Sequence, residues 1–183
     1  MDKYAGGQLP TDNPKMDPNG ETTVIDFENL TDTGTGYSLG WNITEGNYNF
    51  TSNSQFCALK DLGNWTESYP SIVLHGYSWG TVMKITRPDK KPFSPKEIRV
   101  LRPYNTDQAS KVKITGYMHT RASMTLTVEL PFESGRNGVL YKFPAEWTGV
   151  GMKEIKLEFI DGVSGEIRFG AIDDIVMYET VLQ

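Results

Sequence analysis

A chain of 183 residues, of which 38% are hydrophobic, is the right size for one domain with its own core. The net charge of −5 disfavours nucleic-acid binding, which requires a basic surface. No apolar run approaches the ~20 residues that a membrane-spanning helix needs, so we expect no membrane-spanning segment.

The first 21 residues predict a flexible linker. Turn-forming residues occur there without hydrophobic periodicity, as in Gly6-Gly7 and in the run Asp-Pro-Asn-Gly over residues 17–20. The stretch also has no secretory hydrophobic region, so an exported form would have lost its signal already. We therefore predict a linker over residues 1–21 and one domain over residues 22–183.

From residue 22 onward, short β-type runs alternate with turn signals. In residues 123–130 and 153–159 every second residue is apolar, which is typical of an antiparallel sheet with one wet face. Helical periodicity is limited to a single turn near Trp147. The pattern predicts an all-β, antiparallel two-sheet β-sandwich of the jelly-roll type. The candidate strands are 23–28, 47–51, 54–60, 71–75, 80–86, 97–102, 111–119, 123–130, 138–143, 152–160, 166–170 and 171–178.

The first and last predicted strands both carry carboxylates inside apolar, β-branched runs. The first reads Val-Ile-Asp-Phe-Glu over residues 24–28, and the last reads Ala-Ile-Asp-Asp-Ile over residues 171–175. Strand interiors disfavour acidic residues, and clustered carboxylates repel one another, so something must compensate their charge. A calcium ion, which takes six to eight oxygen ligands, would do so. Capping of strand ends or pairing with Arg and Lys is the alternative.

These two ends resemble those of jelly-roll domains such as the MAM adhesion domain and calcium-containing carbohydrate-binding modules. In those families the terminal strands lie side by side, and their acidic residues commonly hold a structural cation. The resemblance implies a structural calcium ion (Ca²⁺) with Asp26, Glu28 and Asp173 as ligands and Asp174 as a further one. Adjacent strand residues point to opposite faces, so Asp173 and Asp174 would both contribute only through a β-bulge.

Aromatic residues are concentrated over residues 37–79, largely in stretches rich in Gly and Asn. Sugar rings stack their C–H faces on Trp and Tyr, while Asn, Asp and Gln bind hydroxyl groups, so this composition fits a carbohydrate site. About half of these aromatics, Trp41 among them, are expected in the core. The predicted ligand-binding residues are Trp65, Tyr69, Tyr77 and Trp79, with Tyr117 and His119 as further contacts.

A second candidate site follows from the strand predicted over residues 111–119. Its odd-numbered residues form a polar row that continues to Arg121, while Val112 and Ile114 lie on the core face. Jelly-roll polysaccharide lyases use such a row on anionic polymers. In a lyase, Arg121 would neutralise the uronate carboxylate, His119 would act as the base and Tyr117 as the acid. An ordinary solvated strand face has the same composition.

Three further motifs predict no chemistry. Residues 76–80 match the Gly-x-Ser-x-Gly pattern of hydrolases, but a β-type run follows where that motif needs a helix. The single cysteine, Cys57, excludes an internal disulfide and is predicted to be a buried strand thiol. Sequons, which matter only in a eukaryotic secretory pathway, occur at Asn29, Asn42, Asn49 and Asn64.

The leading hypothesis is a secreted or cell-surface, extracellular, non-catalytic carbohydrate-binding module whose partner is a polysaccharide or another glycan. Two alternatives stay open. One is a lyase or hydrolase that cleaves polysaccharides on the same fold, and the other is an adhesion domain with a protein partner. Folds of this type host many functions, so the step from sandwich to sugar depends partly on analogy.

Overall fold

The computed structural model describes residues 12–30, 39–59, 71–76, 80–102, 109–131 and 138–183. Within these ranges the chain forms eleven β-strands and one short helix. The elements are β1 (Thr22–Ile25), β2 (Gly40–Glu45), β3 (Tyr48–Leu59), β4 (Val73–Gly76), β5 (Val82–Thr86), β6 (Ser94–Leu101), β7 (Ala109–Met118), β8 (Ser123–Glu129), β9 (Val139–Lys142), α1 (Ala145–Thr148), β10 (Met152–Asp161) and β11 (Ala171–Tyr178).

The eleven strands are hydrogen-bonded in one continuous antiparallel order, and the long strand β3 divides it into two halves, which we call the first and the second sheet. The first sheet has the order β8-β7-β10-β5-β3, with β2 paired to β3. The second has the order β3-β4-β11-β6-β9, with β1 paired to β11. Residues 49–52 of β3 pair with β5, and residues 56–59 pair with β4, so the strand passes from one sheet into the other. This architecture confirms the predicted all-β sandwich.

The core lies between the two sheets and contains the inward-facing half of the alternating residues. Phe50, Ile85 and Leu157 come from the first sheet, while Val100 and Ile172 come from the second, and all five belong to one cluster of buried residues. Removing such side chains from water is worth roughly 1.5–3 kcal/mol each. The predicted core face of β7 is confirmed as well, because Val112 and Ile114 are fully buried.

Several predicted element boundaries differ from the structure. Strand β2 was missed, because its sequence Gly-Trp-Asn-Ile-Thr-Glu is mostly polar. The predicted strands 47–51 and 54–60 are the single strand β3. Residues 166–170, predicted as a strand, contain only an isolated bridge between Ile167 and Ile160. The predicted helical turn is present as α1, and among the described residues no helix is long and apolar enough to cross a membrane.

Residues 12–21, assigned to the linker from the sequence, contact the domain. Met16 is 1% exposed, and its N–H donates to the carbonyl of Gly149 at 3.0 Å. The N–H of Asp17 donates to the carbonyl of Thr180 at 2.8 Å. This turn-rich segment thus contacts the fold through one apolar side chain and a few backbone hydrogen bonds. Hydrophobic periodicity in the sequence cannot predict such contacts. Residues 1–11 of the predicted linker lie outside the described residues.

The outward face of the second sheet carries a small buried cluster of its own. Cys57, Val73, Leu101 and Ala171 form it, and Cys57 is 1% exposed. This confirms the predicted buried thiol. Burial raises the pKa of the Cys57 thiol, because the charged thiolate would lose its hydration there. The thiol is therefore protonated and unreactive at neutral pH.

Candidate functional site

The first and last strands of the domain are neighbours, as the sequence predicted. Strand β1 pairs antiparallel with β11, and Ile25 lies opposite Ile175. Asp26 follows Ile25 directly, and Asp174 precedes Ile175 directly. The register therefore brings the backbones of the two acidic segments to the same end of the strand pair.

The β-bulge that both neighbouring acids would require is present in β11. Its register with β6 shifts between Asp173 and Val176, and Asp174 has a φ of 44°, in the left-handed region that Asp tolerates better than most residues. Asp173 is fully buried. The carboxylate of Asp174 instead forms an ion pair with the Nε of Arg99 at 2.7 Å.

The acids at the start of the domain follow β1, because the strand predicted over residues 23–28 ends at Ile25, and they also have protein partners. The Oδ1 of Asp26 accepts the N–H of Glu28 at 3.2 Å. The Oε1 of Glu28 accepts hydrogen bonds from the hydroxyl of Ser71 at 2.6 Å and from the N–H of Ile72 at 2.8 Å. These bonds hold the two residues that directly precede β4. Within the described ranges, no group of three or more His, Cys, Asp or Glu residues is placed to hold a metal ion. The calcium site stays a prediction.

The outward face of the first sheet is a broad polar surface, which we call the polar face. Cross-strand partners lie on the same side of a sheet, so the register defines the surface across six strands. At about 4.8 Å per strand, it is about 24 Å wide. Its residues are Asn42, Thr44, Asn49, Thr51, Val82, Lys84, Thr86, Lys113, Thr115, Tyr117, Ser123, Thr125, Thr127, Glu154, Lys156 and Glu158.

Charged side chains on the polar face pair with one another across the strands. Lys84 lies 3.6 Å from Glu154, and Glu158 lies 3.8 Å from Lys113 and 3.2 Å from Lys156. Burial lowers the pKa of Lys156, but the interactions with Glu158 and Tyr117 outweigh it and raise the pKa overall. Such partly exposed pairs contribute little to stability, typically about 0–1 kcal/mol, so a ligand can replace them at small cost.

Among the described residues of this sheet, two aromatic side chains are accessible from outside the core. Tyr117, on the polar face, is half-buried and interacts with Lys156. Trp41, in β2 beside Asn42, is 63% exposed, so its predicted place in the core is wrong. The register of β2 against β3 shifts between Gly40 and Asn42, and this irregularity breaks the alternation that would have turned Trp41 inward. Among the described aromatics of residues 37–79, Tyr48, Phe50 and Phe56 are buried in the core.

One end of the polar face opens into a cleft of about 550 Å³. Thr86 and Glu154 belong to both the face and the cleft, so the two surfaces are continuous. The other lining residues come from the turn after β5, the segment after β7 and the bulge near the start of β10. These residues are Arg87, Asp89, Lys90, His119 and Lys153.

The turn after β5 is held by a buried arginine. Arg87 donates from Nε to Oδ1 of Asp89 at 2.9 Å and from Nη2 to Oδ2 at 2.7 Å. Its guanidinium also lies 5.6 Å from the ring centre of Tyr48, a cation–π contact. The N–H of Lys90 donates to the carbonyl of Arg87 at 3.1 Å and closes the turn. The charge of Arg87 is therefore used within the fold, and Lys90 extends from a fixed backbone.

Of the three residues predicted for a lyase, His119 lines this cleft, but its Nε2 atom is not accessible to a substrate. A ring N–H of His119 donates to the backbone carbonyl of Met152, and its Nε2 atom is buried. Burial, and then the charge of Lys153, lowers the pKa of His119. Arg121 lies in the exposed turn after β7. A base must reach the proton that it abstracts, and the burial of Nε2 does not provide that access.

The remaining ligand-binding residues predicted from the sequence, Trp65, Tyr69, Tyr77 and Trp79, lie outside the described residues. They stay predictions. Conversely, sequence reasoning did not select Lys84, Glu154 and Lys156, which lie at the centre of the polar face. The alternation in residues 153–159 did mark Glu154 and Lys156 as outward-facing. What it could not show is that β10 lies between β5 and β7.

No family model and no curated protein matches the chain. Among solved structures, two variants of the family 29 carbohydrate-binding module CBM29-2 align with 88% and 87% of this chain and with 93% of their own length. Their TM-scores are 0.46 and 0.41, at 14% and 12% identity. An arabinose-bound GH51 α-L-arabinofuranosidase aligns with 91% of this chain and 26% of its own, with a TM-score of 0.44 and 10% identity.

Proposed function

We propose that this chain is an extracellular, non-catalytic carbohydrate-binding module that holds a sugar chain along the polar face. The observation that carries the proposal is the face itself. Six neighbouring strands present amide, hydroxyl and charged side chains on one side of a rigid sheet, with Tyr117 among them and the exposed Trp41 in an outer strand. A width of about 24 Å suits an extended polymer better than a compact small molecule.

The chemistry of the polar face matches what a sugar presents. Each sugar ring carries several hydroxyl groups that donate and accept hydrogen bonds, and amides, hydroxyls and carboxylates provide both functions. The apolar C–H face of the ring stacks on an aromatic side chain. Asn49, Thr51 and Glu154 provide the first kind of contact, and Tyr117 provides the second. The strands hold these groups in place before binding, so little ordering entropy is lost.

Binding is favoured over cleavage by the state of His119. Its Nε2 atom is buried, and its pKa is lowered, so the ring is neutral at pH 7 but shielded. A polysaccharide bound on the polar face would contact Tyr117, whereas the buried Nε2 of His119 would not be accessible to it as a base. A uronate polymer incubated with the protein should therefore show no rise in the absorbance of new C=C bonds, and a steady rise would favour the lyase.

Replacing Tyr117 with alanine is expected to weaken glycan binding about tenfold. The substitution removes a stacking surface worth about 1–1.5 kcal/mol and an interaction with Lys156. Isothermal titration with the best ligand from a glycan array measures the change. Tyr141→Ala is the matched control, because Tyr141 lies in β9 at the far edge of the second sheet. Equal losses in both variants would contradict the proposal.

The loop aromatics predicted from the sequence provide an independent comparison. If Trp65 and Trp79 form the principal stacking surface, Trp65→Ala and Trp79→Ala abolish binding, while Tyr117→Ala leaves it nearly unchanged. If the polar face is the site, the order of effects is reversed. Thermal melts of every variant separate lost binding from lost folding.

We also propose that a structural calcium ion binds near the paired ends of β1 and β11. The register that brings Asp26 close to the bulge at Asp173 and Asp174 supports it. An ion held only by the folded state at 100 times its Kd would add about 2.7 kcal/mol to the free energy of unfolding. A chelator should therefore lower the Tm by several degrees, and added calcium should restore it. Asp26→Asn should remove this response, and an unchanged Tm in wild type would contradict the proposal.

A further inference from the structure

The cleft at the end of the polar face has an excess of positive charge, in a protein whose net charge is −5. Arg87, Lys90 and Lys153 line it, against the carboxylates of Asp89 and Glu154. The ring of His119 is neutral at pH 7, since its pKa is lowered. Like charges that are brought together destabilise a surface. A positive region on an acidic protein therefore indicates a site for a negatively charged ligand.

The carboxylates of the cleft already have partners. Asp89 binds Arg87 through two hydrogen bonds, and Glu154 lies 3.6 Å from Lys84. Among the ion pairs of the described residues, none includes Lys90 or Lys153. Two ammonium groups therefore remain to bind an anion.

Both lysines are positioned by the backbone. Lys90 has a φ of 57° and follows the turn that Arg87 and Asp89 hold together. Lys153 lies at the register shift between Met152 and Glu154, where the strand bulges and a side chain is directed away from the regular alternation. The two fixed attachments place the cations at the cleft, although their side chains stay flexible.

We propose that this cleft binds an anionic substituent of the sugar chain, so that the ligand of the module is an acidic polysaccharide. The inference depends on the proposed function, because the cleft is continuous with the polar face through Thr86 and Glu154. The chain lies on the polar face, and a carboxylate or sulfate that it carries lies between Lys90 and Lys153. Ammonium groups attract either anion as point charges, so the shared chemistry is the negative charge.

Four polymers test the inference by titration calorimetry. Polygalacturonate carries carboxylates, and its methyl ester presents the same backbone without charge. A sulfated galactan and its desulfated form make the same comparison for sulfate. We expect at least one acidic polymer to bind about tenfold more tightly than its neutral counterpart, with the difference shrinking as salt is raised from 50 to 500 mM. Which pair shows the difference identifies the anion.

Variants of the lysines locate the effect. Lys90→Met combined with Lys153→Met should remove about tenfold of the affinity for the acidic polymer and leave that for any neutral polymer unchanged. Lys91→Met is the matched control, because Lys91 is the neighbouring lysine, is 72% exposed and does not line the cleft. Binding of neutral glycans alone would overturn the inference and keep the proposed function. Binding of no glycan on an array would remove the proposed function, and this inference with it.

Discussion

Replacing Gly170 with alanine should lower the free energy of unfolding by at least about 3 kcal/mol. Gly170 is buried just before β11, and its carbonyl accepts the N–H of Gly76 at 3.1 Å. A Cβ at this position would lie well inside the contact distance of the Phe159 ring. Phe159 is itself fully buried, so the ring has no space in which to move. Urea denaturation followed by circular dichroism measures the loss.

Gly165→Asn is the matched control for this substitution. Gly165 has a φ of 74°, a conformation that Asn adopts more readily than other residues, and a Cβ there meets no atom within 4 Å among the described residues. Its free energy of unfolding should stay within about 1 kcal/mol of wild type. If Gly170→Ala is as stable as this control, the Phe159 ring does not pack closely against the backbone of Gly170, and the prediction is contradicted.

Acidification should destabilise the domain through His75, by about 3 kcal/mol between pH 6.5 and pH 4. His75 lies in β4 and is 2% exposed, and burial lowers its pKa to about 4. The unfolded chain, with an ordinary pKa near 6.5, binds a proton in this window, whereas the folded chain does not. Protonation therefore stabilises the unfolded state relative to the folded state as the pH falls, and the free energy of unfolding decreases.

Denaturation curves at pH 7 and pH 4 measure this effect, and His75→Gln isolates it. The variant is expected to be less stable at pH 7, but its free energy of unfolding should change less between the two pH values. His119, whose pKa is also lowered, contributes in the same direction, so His119→Gln is compared in parallel. Asp161 has a pKa of about 2 and loses its contribution only below this window. An equal pH dependence in wild type and His75→Gln would contradict the prediction.

The fold could be predicted from the sequence wherever one face of a strand is exposed to solvent. In β8 the alternating residues run Ser-Met-Thr-Leu-Thr-Val-Glu, and the structure buries the apolar set to a greater degree than the polar set. The acidic residues just after β1 and within β11 carried the resemblance from which the two terminal strands were expected to be neighbours, and the structure pairs them. Strand β2 escaped prediction because pairing with β3, rather than its own composition, makes it a strand.

The candidate site could be predicted only in part, because its residues are brought together by the register between strands that are distant in the sequence. The odd-numbered residues of β7 were predicted to share a face, and Tyr117 and Thr115 do. Their neighbours Glu154 and Lys156 come from a strand about 40 residues later in the chain, and Lys84 comes from one about 30 residues earlier. Local periodicity contains no information on which distant strands pair. The cleft likewise needs a turn after β5 to lie beside a bulge in β10.

Mapping a bound glycan by NMR tests the central claim most directly. Backbone amide shifts are followed while the best glycan from an array is added to the labelled protein. We predict that the largest changes lie in β7, β10 and β5, at Tyr117, Lys156 and Lys84, and extend to the cleft at Lys153. Changes confined to β6, β9 and β11 of the second sheet, with the amides of β7 and β10 unmoved, would contradict the account.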